Sequence, residues 1–373
     1  MPSASRNSKS GQVRPKQLKG ALQIVSIGGG TGLSTLLSGL KQYSRDAHGG
    51  AHKTPEVEIT AVVTVSDDGG SSGRLRRDFD ILPPGDIRNC MTALSEDEHL
   101  LSQLFRHRFA GGRGLKGHSF GNLFLTAMHQ ITGDFAQAVK LSSEILAIRG
   151  RIFPATSANV SLEAVLSDGS LVRGESKISK SRSPIRAVRL RPDSCEPLEE
   201  TLEAIAAADL ITLGPGSLYT SVIPNLLVKG LAESIHRSRA LKVYFGNLMW
   251  QPGETVNFSA SQHVEAIHAH ARCKLLDCVV VNTAPIPLKL QKRYAKAHVK
   301  PVENDFAQLS KMGVRVVTAE LIGDVAAEQK KIRHDPDALA EVVIDLASRS
   351  RSLQLKRHML TEHRKQEERR PVQ

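Results

Sequence analysis

Cysteine, aromatic residues and long apolar runs are all scarce in this chain of 373 residues. The four cysteines, Cys90, Cys195, Cys273 and Cys278, form no C-x-x-C pair and no disulfide-dense pattern. A reducing compartment, the cytoplasm, is therefore expected. No stretch approaches 18 uncharged apolar residues, so no membrane-spanning helix is expected. The first twenty residues lack an apolar segment, and no secretory signal is expected there. Aromatics make up 4% of the chain and are not interleaved with basic residues, which argues against a stacking platform for single-stranded nucleic acid. Several catalytic signatures are also missing. No Gly-Lys-Ser/Thr follows the main glycine cluster, and there is no G-x-S-x-G and no H-E-x-x-H. No Ser or Cys nucleophile with a committed base can be named.

What is present is a basic excess of +12, unevenly placed. Residues 1–20 carry net +5, residues 349–373 another +5, and the body between them only +2. The charge thus belongs to two tails read as solvated and disordered, not to a folded nucleic-acid-binding face. The resulting organisation is a basic tail (1–20), an α/β domain (21–348) with a β insertion at about 151–193, and a second basic tail (349–373).

Short Val/Ile/Leu runs recur along the body: "ALQIVSI" (21–27), "EVEITAVVTV" (56–65), "ADLITL" (208–213), "ALKVYF" (240–245), "LLDCVVV" (275–281) and "GVRVVTAEL" (313–321). Near-continuous apolar strands separated by helical patterns predict an α/β, three-layer Rossmann-like sandwich with a mostly parallel sheet. Leu33, Leu36, Leu37 and Leu40 mark one face of the first helix. Residues 86–148 read as mostly helical. "NVSLEAVLSDGSLVRGESKI" reads as two strands about Asp168-Gly169, a small antiparallel insertion, and "ISKSRSPIR" (178–186) as a polar mobile segment. The last helix is predicted from Asp335 as N-cap and Pro336 as first helical residue.

Three loops carry the polar chemistry. "GGGTG", with Gly28, Gly29, Gly30, Thr31 and Gly32, follows a strand and opens a helix, where helix-end N–H groups hold anions. Its third dinucleotide-fingerprint position is Leu33 or Thr35 rather than glycine, so it matches neither standard phosphate signature. In "SDDGGSSGRLR", Asp67 and Asp68 are placed to accept from ribose hydroxyls or to hold Mg²⁺ with a diphosphate. Gly69 and Gly70 permit close approach, Ser71 and Ser72 supply hydroxyls, and Arg74 and Arg88 offer charge-assisted bonds. Asp86 and Asn89 flank Arg88 in "PPGDIRN". In "GPGS", Gly214, Pro215 and Gly216 turn sharply, and Ser217 either caps the next helix or faces a ligand. Gly121, Asn122 and Asn247 complete the candidate set, and Ser259 with Gln262 forms a capping-box pattern. His263, His268 and His270 lack single-face metal spacing and read as surface histidines.

The motifs "GGGTG", "SDDGGSSGRLR", "PPGDIRN", "GNL", "GPGSLYTSVIPNLLV", "NLMWQPGET" and "VVVNTAPIP" occur in order over residues 22–330 and resemble the gluconeogenesis-factor (YvcK-like) family. Its enzyme relatives are the 2-phospho-L-lactate transferases (CofD-like). The resemblance implies a cytoplasmic protein that binds a nucleotide-linked small molecule. For the YvcK-like members this means a UDP-sugar such as UDP-N-acetylglucosamine, or an NAD-like dinucleotide, in a role in cell shape and cell-wall synthesis under gluconeogenic growth. For the transferases it means transfer of a phospholactyl group from a guanosine diphosphate conjugate, with Mg²⁺. It places the GGGTG glycines, Thr31, Asp67 and Asp68 around the diphosphate, with Gly214, Gly216 and Ser217 facing it. The expected partners are a second copy of the chain and a protein kinase or cell-wall enzyme. One stretch departs from the family pattern "TQPGETDG": Trp250 stands in place of a small hydroxyl residue and Val256 in place of an acid. A binding regulator is favoured over a Mg²⁺-dependent transferase, and both over an NAD-dependent oxidoreductase.

Overall fold

The computed structural model describes residues 20–45, 52–96, 100–323 and 331–368. Most of the expected N-terminal tail therefore lies outside the described residues. The six apolar runs become strands β1 (Leu22–Gly28), β2 (Val57–Val63), β7 (Leu210–Leu213), β8 (Leu241–Phe245), β9 (Cys278–Asn282) and β10 (Arg315–Ala319). With β3 (Arg151–Pro154) they form a seven-stranded sheet in the order β10-β9-β8-β7-β1-β2-β3. Every neighbouring pair in it is parallel. Helices cover both faces. α1 (Gly30–Leu40) buries Leu33, Leu36, Leu37 and Leu40 and packs against α3 (Gly85–Leu94) and the helix Pro336–Glu368. Val62, Val63, Val279 and Val280 are fully buried, as strands covered on both sides require.

β3 differs from the sequence reading, which assigned residues from 151 onward to the insertion. It pairs with β2 at the sheet edge, Ala61 opposite Ile152. A four-residue strand that starts on a charge and ends on a proline carries too little apolar signal to be read, and an edge position tolerates that proline. The antiparallel insertion is present as β4 (Ser161–Leu166), β5 (Leu171–Arg173) and β6 (Ile185–Arg191), in the order β5-β4-β6. The expected mobile segment thus runs into a strand at Ile185. Buried Glu163 on β4 holds Arg173 and Arg189 of its two neighbours, and these guanidinium groups keep its carboxyl below the ordinary range.

The last helix begins as predicted, with Asp335 Oδ1 accepting from the N–H groups of Asp337 and Ala338, both at 2.9 Å. It does not stop at 348; it continues to Glu368, so the expected boundary falls inside a helix. Arg351 anchors the continuation. Its guanidinium pairs with Asp209 and donates to the carbonyls of Gly20 (2.9 Å) and Ala21 (2.6 Å). Asp209 also accepts from the Gln23 N–H at 2.7 Å. One arginine therefore ties the C-terminal helix to the entry of β1 and to the residue preceding β7.

Candidate functional site

The strand order reverses direction at β1, with β2 on one side and β7 on the other. In such sheets a ligand crevice opens at the carboxyl ends of the strands flanking that point. The loops after β1 and β7 meet there in close contact. Gly30 takes a left-handed φ of +61°, which turns the chain from β1 into α1. A side chain at Gly32 would collide with the backbone of Pro215 and Gly216.

Above this floor lies a cavity of about 290 Å³ lined by Gly29–Gly32, Thr35, Pro215–Ser217, Ser221, residues 247–251, Tyr294 and residues 332–334. Its polar wall is a chain of bonds. The Tyr244 hydroxyl donates to Asn247 Oδ1 (3.2 Å), Asn247 Nδ2 to Gln251 Oε1 (3.1 Å), and Gln251 Nε2 to Ser217 Oγ (2.9 Å). Ser217 therefore does not cap the following turn. Buried Glu254 serves that turn instead, accepting from the Tyr219 N–H at 3.1 Å and the Thr220 hydroxyl at 3.0 Å. His334 donates to the Gly246 carbonyl at 3.2 Å, and burial pulls its pKa down to about 4, so the ring is neutral. Exposed Arg333 is the one charged side chain among the described lining residues, which also include Gly30, Thr31 and Gly32 of the first turn of α1.

Gly28 and Gly214 sit against each other at the ends of β1 and β7, where a Cβ at Gly28 would come 3.8 Å from the Gly214 Cα, and the remaining candidate residues do not line this cavity. They gather beyond Gly29, at the end of β2 and the starts of α2 (Gly70–Phe79), α3 and the helix Phe120–Thr132. Asp67 turns back to the Gly69 N–H at 2.8 Å, while Asp68 accepts from the Ser176 N–H of the insertion at 2.8 Å. Gly70 opens α2 with a φ of +46°. Ser71 Oγ lies 2.9 Å from His118 Nδ1 and accepts from Asn122 Nδ2 at 3.2 Å. Ser72 packs under Gly85. Arg74 donates to the Lys116 carbonyl, Arg88 to Asn89 Oδ1, and Gly121 leaves room for the Arg88 stem. Burial, then the cations of Arg108 and Arg106, lowers the Arg88 pKa.

Asp67 and Asp68 thus aim at different partners, and among the described residues no group of three or more His, Cys, Asp or Glu is arranged to hold a metal ion.

This second region is acidic, and it includes Glu175, which sequence reasoning missed. Desolvation, then the charges of Asp67, Asp86, Glu254 and Asp68, pushes Glu175 up to about 9. Desolvation and Asp67 raise Asp86 to about 6, against the opposing bond from the Gly30 N–H. Both values lie above those of the unfolded chain, so the native state keeps these protons longer. Stability therefore falls as pH rises from the ordinary carboxylate range, levelling near 6 for Asp86 and near 9 for Glu175. Glu175→Gln is expected to melt at least about 2 °C above wild type at pH 9 and to differ little at pH 5. Melting curves displaced equally at both pH values would refute the cause.

Tyr294, Arg333 and His334 were also missed. No periodicity marks them, because they enter the crevice from the far end of the chain. The Tyr294 hydroxyl accepts from the Ile332 N–H at 3.2 Å and fixes that arrival. The surface reading of the histidines is corrected. His263 is fully buried, His268 Nε2 accepts from the Leu276 N–H, and His270 Nε2 from the Val188 N–H. These rings satisfy backbone groups, which the spacing rule does not detect.

Residues 24–322 match the family model described as 2-phospho-L-lactate transferase CofD. The chain is 46% identical over 324 residues to the gluconeogenesis factor of Bacillus subtilis, covering 87% of this chain and 98% of that protein. It is likewise 46% identical over 329 residues to the gluconeogenesis factor of Halalkalibacterium halodurans, covering 88% and 98%. A crystal structure of a Bacillus halodurans protein superposes with a TM-score of 0.81 at 46% identity, covering 87% of this chain and 100% of that one. Among the described residues no helix is long and apolar enough to cross a membrane.

Proposed function

The chain belongs to the CofD family, among the gluconeogenesis factors, and from that premise we propose that it binds a nucleoside diphosphate sugar of the UDP-N-acetylglucosamine type without turning it over. One observation carries the reading: the crevice between β1 and β7 is floored by glycine backbone at a helix N-terminus and has Arg333 but no acid in its wall. That combination suits a diphosphate, which needs N–H donors and a cation. The hydroxyls of Thr31, Thr35, Ser217 and Ser221 have no carboxylate in the same wall, and the Nε2–H of His334 is committed to the Gly246 carbonyl. Such a site holds its ligand. Binding would then report nucleotide-sugar supply to cell-wall synthesis, in the cytoplasm, through a protein partner such as a kinase or cell-wall enzyme.

Arg333→Ala is expected to weaken UDP-N-acetylglucosamine binding about 10- to 100-fold in calorimetry, the range for one charge-assisted bond to phosphate. An unchanged affinity would remove Arg333 from the diphosphate site. A transferase reading is favoured by a separate observation: Asp86, raised to about 6, accepts from the Gly30 N–H directly behind the glycine loop. A carboxyl of that pKa is suited to proton transfer near neutrality. Consumption of a nucleotide diphosphate conjugate by wild type but not by Asp86→Asn would establish it.

A further inference from the structure

A second cavity, of about 240 Å³, adjoins the nucleotide crevice and shares Asn247 and Leu248 with it. It lies at the ends of β8 and β9, and none of its described lining residues is charged. Its hydrogen-bonding character follows from three side chains. His263 Nδ1 is 2.8 Å from the Ser259 carbonyl, which can only accept, so Nδ1 carries the proton and Nε2 presents a lone pair. That Nε2 is buried and has no partner. Gln291 Nε2 donates to the Ile286 carbonyl at 2.9 Å, and Asn304 Nδ2 to the Asn282 carbonyl at 2.8 Å. These bonds fix both amides and leave their oxygens as acceptors. The cavity therefore offers acceptor atoms on three lining side chains and no cation. It disfavours phosphate and carboxylate groups, and it matches an uncharged group rich in O–H donors.

We propose that this second chamber is the sugar subsite of the ligand, with His263, Gln291 and Asn304 accepting from the hydroxyls of a pyranose whose diphosphate lies in the first chamber. The assignment rests on the nucleotide-sugar reading and extends it. Uracil offers a single N–H donor and two acceptors and fits the chamber poorly. Guanine, with its N1–H and 2-amino donors, is the competing occupant. The His263 ring also stacks on Tyr244, with centroids 6.4 Å apart and planes 25° from parallel.

The test is a calorimetric comparison of UDP, UDP-N-acetylglucosamine and GDP on the full chain, its His263→Phe variant and its Gln291→Leu variant. His263→Phe keeps the stack on Tyr244 and deletes the acceptor. Gln291 is exposed, so its variant stays folded if the buried substitution does not. Wild type is expected to bind the nucleotide sugar at least about tenfold more tightly than UDP, the scale of one good hydrogen bond. Each variant should lower that ratio about fivefold or more, with UDP affinity held within about twofold. A ratio preserved in both variants, or an equal loss for UDP, overturns the subsite. Loss confined to GDP assigns the chamber to guanine and overturns the sugar. Wild-type binding of UDP and UDP-sugar with equal affinity defeats the subsite alone. Failure of wild type to bind either ligand defeats the nucleotide-sugar reading and the subsite together.

Discussion

Gly32→Val is expected to abolish nucleotide-sugar binding, by about 100-fold or more, and to destabilise the fold by about 1–3 kcal/mol, the usual cost of overpacking. A Cβ at this position would lie well inside van der Waals contact distance of the Pro215 carbonyl oxygen, 2.6 Å from the Pro215 carbonyl carbon and 2.8 Å from the Gly216 nitrogen. All three are backbone atoms, so no side-chain rotation relieves the clash. The loop after β1 has to move away from the loop after β7, and these two loops are the floor of the crevice. Gly32→Ala should show the same loss in milder form. Gly111→Ala is the control, because its Cβ would meet nothing within 4 Å. Thermal melting and calorimetry on the three variants separate lost binding from lost fold.

Arg351→Ala is expected to cost about 3–5 kcal/mol of stability and to leave nucleotide affinity within about twofold of wild type. The pair is mostly buried, with the Arg351 and Asp209 side chains 14% and 12% exposed. Removing the arginine strands the Asp209 carboxylate with the Gln23 N–H as its remaining bond, and also frees the Gly20 and Ala21 carbonyls. Affinity should hold because Asp209 precedes β7 while the crevice lies at the far end of that strand, at Gly214. Ending the chain after Ser348 should have the same outcome. A truncated protein that melts with wild type would show that the helix continuation adds nothing.

The architecture was readable because its signals are local. β1, β7 and β9 are runs of branched apolar residues ending at glycine, proline or asparagine turns, and such runs need no distant partner to be recognised. The Asp335-Pro336 helix start and the Ser259–Gln262 capping box were readable for the same reason, and the Gln262 side chain does accept from the Ser259 N–H at 2.9 Å. β3 was not, since its pairing with β2 spans about ninety residues and its four residues include an arginine and a proline. The helix past 348 was misread because its composition is that of a solvated tail, and only Asp209, far away in sequence, shows why Arg351 is held. For the site, the glycine loops were legible as places of close backbone approach. Their division into one chamber with Arg333 and another region with five interacting carboxylates was not. Which side of Gly29 a residue occupies depends on the sheet order, and Tyr294 and Arg333 arrive by chain paths that no motif announces.

The central claim is that the β1–β7 crevice binds a nucleotide sugar and does not convert it. Calorimetric titration of wild type and Gly32→Val with UDP-N-acetylglucosamine, followed by recovery of the ligand, tests it most directly. The expected result is one site per chain with a Kd of about micromolar or tighter in wild type, no measurable heat in Gly32→Val, and ligand recovered intact after prolonged incubation. Equal binding by both proteins would place the ligand elsewhere, and a cleaved ligand would make the protein an enzyme.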